Sequence, residues 1–173
     1  MNVILPTVLL IAALIGLAVA CRHVASWLKW RGERVVRCPD NGRPAGVTVD
    51  AWRAARRLNL RACSRWPEKA GCGQACLADI AAAPIDCLVR KIAGRWYTGK
   101  HCVVCGIEMS GVKWDSSQPG LMLPDRSTMQ WNQISADKLT ETLAAASPLC
   151  FRCYLADWLV RARPELAVKR GPH

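Results

Sequence analysis

Histidine is scarce in this 173-residue chain, with only His23, His101 and His173 present. Imidazole-based acid–base chemistry therefore has few candidates. A P-loop, a Rossmann glycine pattern, a nucleophilic serine elbow and an HExxH helix are all missing. Covalent haem attachment is excluded as well, because Cys105 is followed by Gly106 and Cys153 by Tyr154 rather than by His. Acidic residues are few, 13 against 24 Lys and Arg. Asp115 and Asp125 fall in an expected loop region with no partner pattern for paired carboxylates. No catalytic constellation is left, and the chain does not read as an enzyme. Phenylalanine occurs once and tyrosine twice, against eight tryptophans and ten cysteines. A small domain with a thin core relies on staples, either disulfides or a metal, and the choice depends on the compartment.

Charge is also missing from Val3 to Ala20, a run of Leu, Ile, Val and Ala. As a helix it spans roughly 27 Å, about one bilayer hydrocarbon core. Pro6 sits near its start, where a missing N–H costs little. A cleaved signal peptide would carry a positive n-region, and Met1–Pro6 has none. Ala18-Val19-Ala20-Cys21 has only a faint likeness to a lipoprotein cleavage box. The expectation is an uncleaved single-pass anchor. Arg22, Lys29, Arg31, Arg34 and Arg37 follow it, opposed only by Glu33, so the positive-inside rule puts the N-terminus outside and the C-terminal domain in the cytoplasm of a cell membrane. Trp27 and Trp30 are expected just beyond the helix as interfacial aromatics. Ala12, Gly16 and Ala20 make a small-xxx-small ladder suited to homodimer pairing.

Eleven Lys/Arg against three Asp/Glu between Arg22 and Arg65 supply eight of the chain's eleven net positive charges. Beside an anionic leaflet, lipid headgroups are the natural partner of that stretch, at about 1 kcal/mol per basic residue. Nucleic acid is the weaker reading, because a tethered chain already has a polyanion next to it. Within this stretch Ala51–Arg61 is expected as a short amphipathic helix with Asp50 as N-cap.

The first cysteine group begins with Cys38-Pro39-Asp40-Asn41-Gly42, set between two runs with strand character, so a β-hairpin with Cys38 at its bend is expected. Cys63, Cys72, Cys76 and Cys87 follow with the spacing C-x8-C-x3-C-x10-C. Residues 74–82 and 85–96 are expected to be helical, broken at Pro84, with Cys72 and Cys76 facing the same way if the first helix begins at Gly73. Four of the five residues Cys38, Cys63, Cys72, Cys76 and Cys87 are expected to ligate zinc or a [4Fe–4S] cluster. The remaining one packs as a buried thiol. Spacing alone does not choose between Cys38 and Cys87.

The second group, Cys102-Val103-Val104-Cys105-Gly106 and Cys150-Phe151-Arg152-Cys153, reads C-x2-C-x44-C-x2-C. Each pair turns two thiolates toward one ion, and two pairs complete a tetrahedral S4 site. Gly106 supplies the backbone freedom of a knuckle turn. Short strands are expected at Val112–Trp114, Leu121–Leu123 and Met129–Trp131, and a helical segment at Ala136–Ala146. Ser147-Pro148 reads as a loop into a helix at Tyr154–Arg163, whose N-terminal dipole would favour the thiolates. His101, beside Cys102, reads as a surface residue, or else as a hydrogen-bonding neighbour or alternate ligand.

A C-x2-C-G knuckle, intervening strands, and a C-x2-C at a helix start resemble the treble-clef and zinc-ribbon families over residues 102–163. That resemblance implies a structural zinc on Cys102, Cys105, Cys150 and Cys153, with the 44-residue spacer as a departure. The chain, in Cys63–Cys76 above all, also resembles bacterial membrane-anchored Cys-rich proteins, a likeness that carries no activity with it.

The fold class expected is α+β: one transmembrane helix plus a small, metal-stabilised, Cys-rich domain of short hairpins and helices. Its segments are an anchor at 1–21, a basic juxtamembrane stretch at 22–37, a first Cys-rich module at 38–97, a finger-like module at 98–165 and a flexible tail at 166–173. The leading functional reading is a docking or assembly module for a protein partner, with exposed tryptophans as anchors. The alternative is an iron–sulfur electron-transfer protein beside a membrane redox complex. A thiol–disulfide role for Cys102 and Cys105, or five disulfides in an exported domain, stand behind these.

Overall fold

The structure, a computed structural model, describes residues 4–66, 68–69, 71–109 and 117–163. The expected strand Val112–Trp114, Asp115 and the tail at 166–173 lie outside the described residues. The fold is mixed α and β, divided into two compact units, Met1–Leu88 and Val89–His173.

The N-terminal unit opens with helix α1, Ile4–Trp30, 27 residues or about 40 Å. Its stretch Leu5–Trp30 is long and apolar enough to cross a membrane, and its most apolar window is not buried at all. The helix continues well past Ala20, and this corrects the expected position of Trp27 and Trp30. Both lie on the last turns of α1, where Trp30 is buried in the core and Trp27 packs against it.

Strands β1 (Glu33–Arg37), β2 (Pro44–Val49) and β3 (Leu60–Cys63) form an antiparallel sheet in that order. Val36, Ala45, Val47, Val49 and Leu60 supply its apolar face, with Ile80 from the short helix α2 (Leu77–Ala82) over them. The hairpin at Cys38 forms as its turn residues imply: Gly42 N donates to the Cys38 carbonyl at 2.8 Å and Cys38 N to Arg43 O at 2.9 Å. The helix expected over Ala51–Arg61 does not form. Asp50 does cap a turn, accepting from Arg53 N at 3.3 Å, but Asp50 N then donates to Asn59 O and Leu60 pairs with Val49. Adding a third strand satisfies the open edge of β2, which a surface helix would leave bare.

Arg34 on β1 is completely buried. Its guanidinium donates to the carbonyls of Lys29, Trp30, Gly32 and Pro84 at 2.7–3.2 Å and lies over the Trp30 ring. It thereby caps the C-terminus of α1, where carbonyls have no helical partner and the dipole favours a cation.

In the C-terminal unit, α3 (Val89–Tyr97) precedes a three-stranded antiparallel sheet in the order β5 (Thr128–Gln130), β4 (Gly120–Met122), β6 (Ser147–Leu149). A 3-10 turn at Ala136–Lys138 leads into α4 (Leu139–Ala145), and α5 spans Phe151–Ala162. Ser147-Pro148 is therefore a strand rather than a loop, because it pairs with the free edge of β4. Trp131 begins a 3-10 turn instead of continuing β5. Tyr97, Leu121, Leu139, Leu143 and Leu149 are buried. The Tyr97 hydroxyl donates to the Gly120 carbonyl at 2.7 Å, and Gly120 presses so close to the Tyr154 ring that a Cβ there would lie 2.7 Å from it.

Candidate metal centres

The clearest site grows from two backbone devices in the C-terminal unit. Lys100–Cys102 and Ile107–Met109 run side by side, with Met109 N donating to Lys100 O and Cys102 N to Ile107 O. Between them the chain turns at Cys102–Gly106, closed by Gly106 N to Cys102 O at 2.9 Å with Gly106 at φ +70°. An L residue enters that region only with strain, so the glycine here is structural. The second device is the start of α5, with Cys150 as N-cap and Cys153 one turn in. Val103 N donates to Pro148 O at 2.9 Å and ties the knuckle to β6 immediately before that helix.

The sulfurs of Cys102, Cys105, Cys150 and Cys153 all lie within 4.8 Å of one another. Cys105 Sγ and Cys150 Sγ are 3.7 Å apart. A tetrahedral ion with bonds of about 2.3 Å has sulfur–sulfur edges of about 3.8 Å. The four thiols lie close enough together to hold one metal ion.

Their electrostatics fit thiolate ligation. Burial alone would push the Cys102 thiol up. Hydrogen bonds from the backbone N–H groups of Cys150, Cys105 and Val104 and from the Cys105 thiol outweigh it and bring Cys102 down to about 6. The contact from Cys150 N measures 3.3 Å. Cys153 is pushed up by burial and by crowding from the other three thiols, and Cys150 is raised mainly by burial. Backbone N–H groups favour a thiolate in this cluster while crowding opposes further ionisation, an arrangement that a bound cation relieves. His101 is exposed and bridges to Glu108 through its backbone.

The first group is arranged differently. Cys38, Cys63, Cys72 and Cys76 line a common cavity of about 60 Å³ in the N-terminal unit, along with Arg65, Trp66 and Lys69. α2 begins at Leu77 with Cys76 as its N-cap, not at Gly73, so Cys72 sits in the preceding loop. That loop holds Gln74 at φ +53°, and the Gln74 side-chain oxygen accepts from Leu60 N at 3.0 Å, docking the loop on β3. No sequence signal marked Gln74 or Arg65 for this cavity, since Gln74 docks on Leu60 and Arg65 meets Cys38 and Cys76 only at the cavity wall. The Cys76 thiol is pushed up by burial first and then by the nearby Cys63, Cys72 and Cys38.

Cys87 stands apart from that cavity. Its Sγ donates to the Ala83 carbonyl at 3.4 Å, and burial raises its thiol despite the opposing pull of Arg34. All ten cysteines are free thiols.

No protein-family model, curated protein or solved structure matches this chain. The site must speak through its own chemistry.

Proposed function

We propose that this is a single-pass membrane protein whose cytoplasmic Cys-rich domain is a docking or assembly module, built on a structural zinc at Cys102, Cys105, Cys150 and Cys153. The observation that carries the reading is the four-sulfur cluster with a 3.7 Å edge, the spacing a zinc tetrahedron requires. The knuckle with its paired arms, followed by a thiolate pair at a helix start, supports kinship with the treble-clef and zinc-ribbon families. In such small domains zinc supplies folding energy, and no reaction at the metal is needed to explain the ligands.

Docking is supported by what surrounds the centre. Val103, Val104 and Ile107 on the knuckle are exposed, as are Trp158, Leu159 and Val160 on α5. Apolar residues held in water beside a rigid metal knuckle suit a protein partner. Membrane attachment rests on the apolar length of α1, and its orientation on the basic residues that follow. Trp52, exposed and tilted against Trp27 with ring centroids 6.0 Å apart, with Arg53, Arg56 and Arg57 beside it in sequence, suits contact with anionic headgroups. The Ala12/Gly16/Ala20 face would serve a homodimer.

The test is metal analysis of the full chain purified in detergent under reducing conditions, combined with reporter fusions at the C-terminus. Zinc that is lost in Cys105→Ser and Cys153→Ser, with a cytoplasmic reporter, is the expected outcome. Photo-crosslinkers at Val104 and Trp158 should trap a discrete protein in native membranes. A C-terminal reporter outside the cell, or no metal on these four thiols, would overturn the reading.

A further inference from the structure

The N-terminal unit brings four thiols from four separate places to one cavity. Cys38 comes from the β1–β2 bend, Cys63 from the end of β3, Cys72 from the loop that Gln74 pins to the sheet, and Cys76 from the cap of α2. Packing of a small core does not require four cysteines around an open space. The cavity of about 60 Å³ is several times the 10–15 Å³ or so that admits one water, and larger than a lone ion needs.

The spread of the thiols agrees with that size. Among the described residues, only the group at Cys102, Cys105, Cys150 and Cys153 has three or more potential ligand atoms mutually within 4.8 Å. The first group is therefore wider than a single-ion tetrahedron. A cubane of iron and sulfide, with each thiolate on a different iron, holds its four cysteines farther apart than one ion does.

Charge points the same way. Arg65 and Lys69 are on the cavity wall, and the acid there, Asp40, is paired with Lys69. Arg65 Nε is buried with no hydrogen-bond partner, although the outer edge of the guanidinium reaches Glu68 at 3.6 Å. A buried cationic donor left without an acceptor calls for one in the cavity beside it, either water or an anionic group. A thiolate-ligated cluster is such a group, and hydrogen bonds to its sulfurs are a normal part of how a protein holds it.

We propose that Cys38, Cys63, Cys72 and Cys76 bind a [4Fe–4S] cluster, with Arg65 as its charge partner and Cys87 outside the ligand set. The exclusion of Cys87 follows from its hydrogen bond as a thiol donor to Ala83 O, and from its absence from the cavity wall. This centre is independent of the docking reading, which rests on the zinc site of the other unit.

The experiment is anaerobic purification of the full chain in detergent, reconstitution with iron and sulfide, and assay of iron, acid-labile sulfide, zinc and the visible spectrum. About four iron and four sulfide per chain with a brown chromophore are expected, in addition to the zinc. Cys87→Ser should keep the iron, and Cys72→Ser should lose most of it while the zinc stays. Cys105→Ser should do the reverse, so failure at one centre is distinguishable from failure at the other. Zinc in both centres with no iron or sulfide would overturn the proposal. So would iron lost from Cys87→Ser but kept in Cys38→Ser, or first-group thiols that resist alkylation until reduced. The wild-type iron and sulfide count decides even if a ligand variant does not fold.

Discussion

Arg34 shows how one side chain can join a helix to a sheet. A guanidinium at full burial is costly, and here burial does push its pKa down. Four carbonyls at 2.7–3.2 Å compensate, two of them, Lys29 and Trp30, at the end of α1 where helical carbonyls lack intrahelical partners. Arg34→Met should destabilise the N-terminal unit by about 3 kcal/mol, since it strips several charge-assisted bonds at once. Arg34→Lys, lacking the fork, should recover only part of the loss. Thermal unfolding of the full chain in detergent checks both. Tyr97 gives a second prediction at this scale. Burial raises its phenol well above the usual range. A raised folded pKa contributes stability that is fully present below the unfolded phenol's value of about 10 and is lost as pH rises from there toward the raised folded value. Tyr97→Phe should cost about 1 kcal/mol at neutral pH, from the bond to Gly120 O, and should flatten the decline in stability above pH about 10.

Among the elements, the knuckle and the central strand each turn on one glycine. Gly106 has open space around it, so Gly106→Ala meets no neighbour and suffers only the left-handed backbone. The expected cost is about 1 kcal/mol, seen as roughly fivefold weaker zinc retention in a chelator competition. Gly120 is the opposite case, with ordinary freedom but no room. In Gly120→Ala the new Cβ meets the Tyr154 ring at 2.7 Å, so β4 or α5 must shift. A loss of about 1–3 kcal/mol in thermal stability is expected. The same scale shows where periodicity misleads. Ala51–Arg61 has helical spacing and a genuine Asp50 cap, yet Leu60–Cys63 pairs with β2, because burying Leu60 against Val49 and closing a strand edge outweighs local propensity. Trp27 and Trp30 look interfacial in the sequence, but α1 carries both into contact with the core of the N-terminal unit.

At the level of the whole molecule, each compact unit has its own thiol group, one tight and one wide. A strong chelator should destabilise the C-terminal unit, because the four thiols join the Cys102–Gly106 turn to the start of α5 and no other metal-like staple is on that unit among the described residues. Loss of backbone hydrogen-exchange protection across β4, β6 and α5, restored by added zinc, is the measurement.

By itself the sequence determined whatever depends on local spacing. An unbroken apolar run dictates a long helix, Asn41-Gly42 dictates a hairpin, and each C-x2-C pair presents two sulfurs together, one pair in a knuckle turn and the other at a helix start, all because the deciding contacts lie within a few residues. Only the tertiary structure decided which distant groups meet. It separated Cys87 from the four thiols of the first cavity, and it set Arg65 on that wall, Arg34 against the Pro84 carbonyl and Ser147–Leu149 at the edge of β4. Those outcomes depend on filling a core and satisfying buried polar groups across long loops, and neither requirement leaves a periodic mark on the chain.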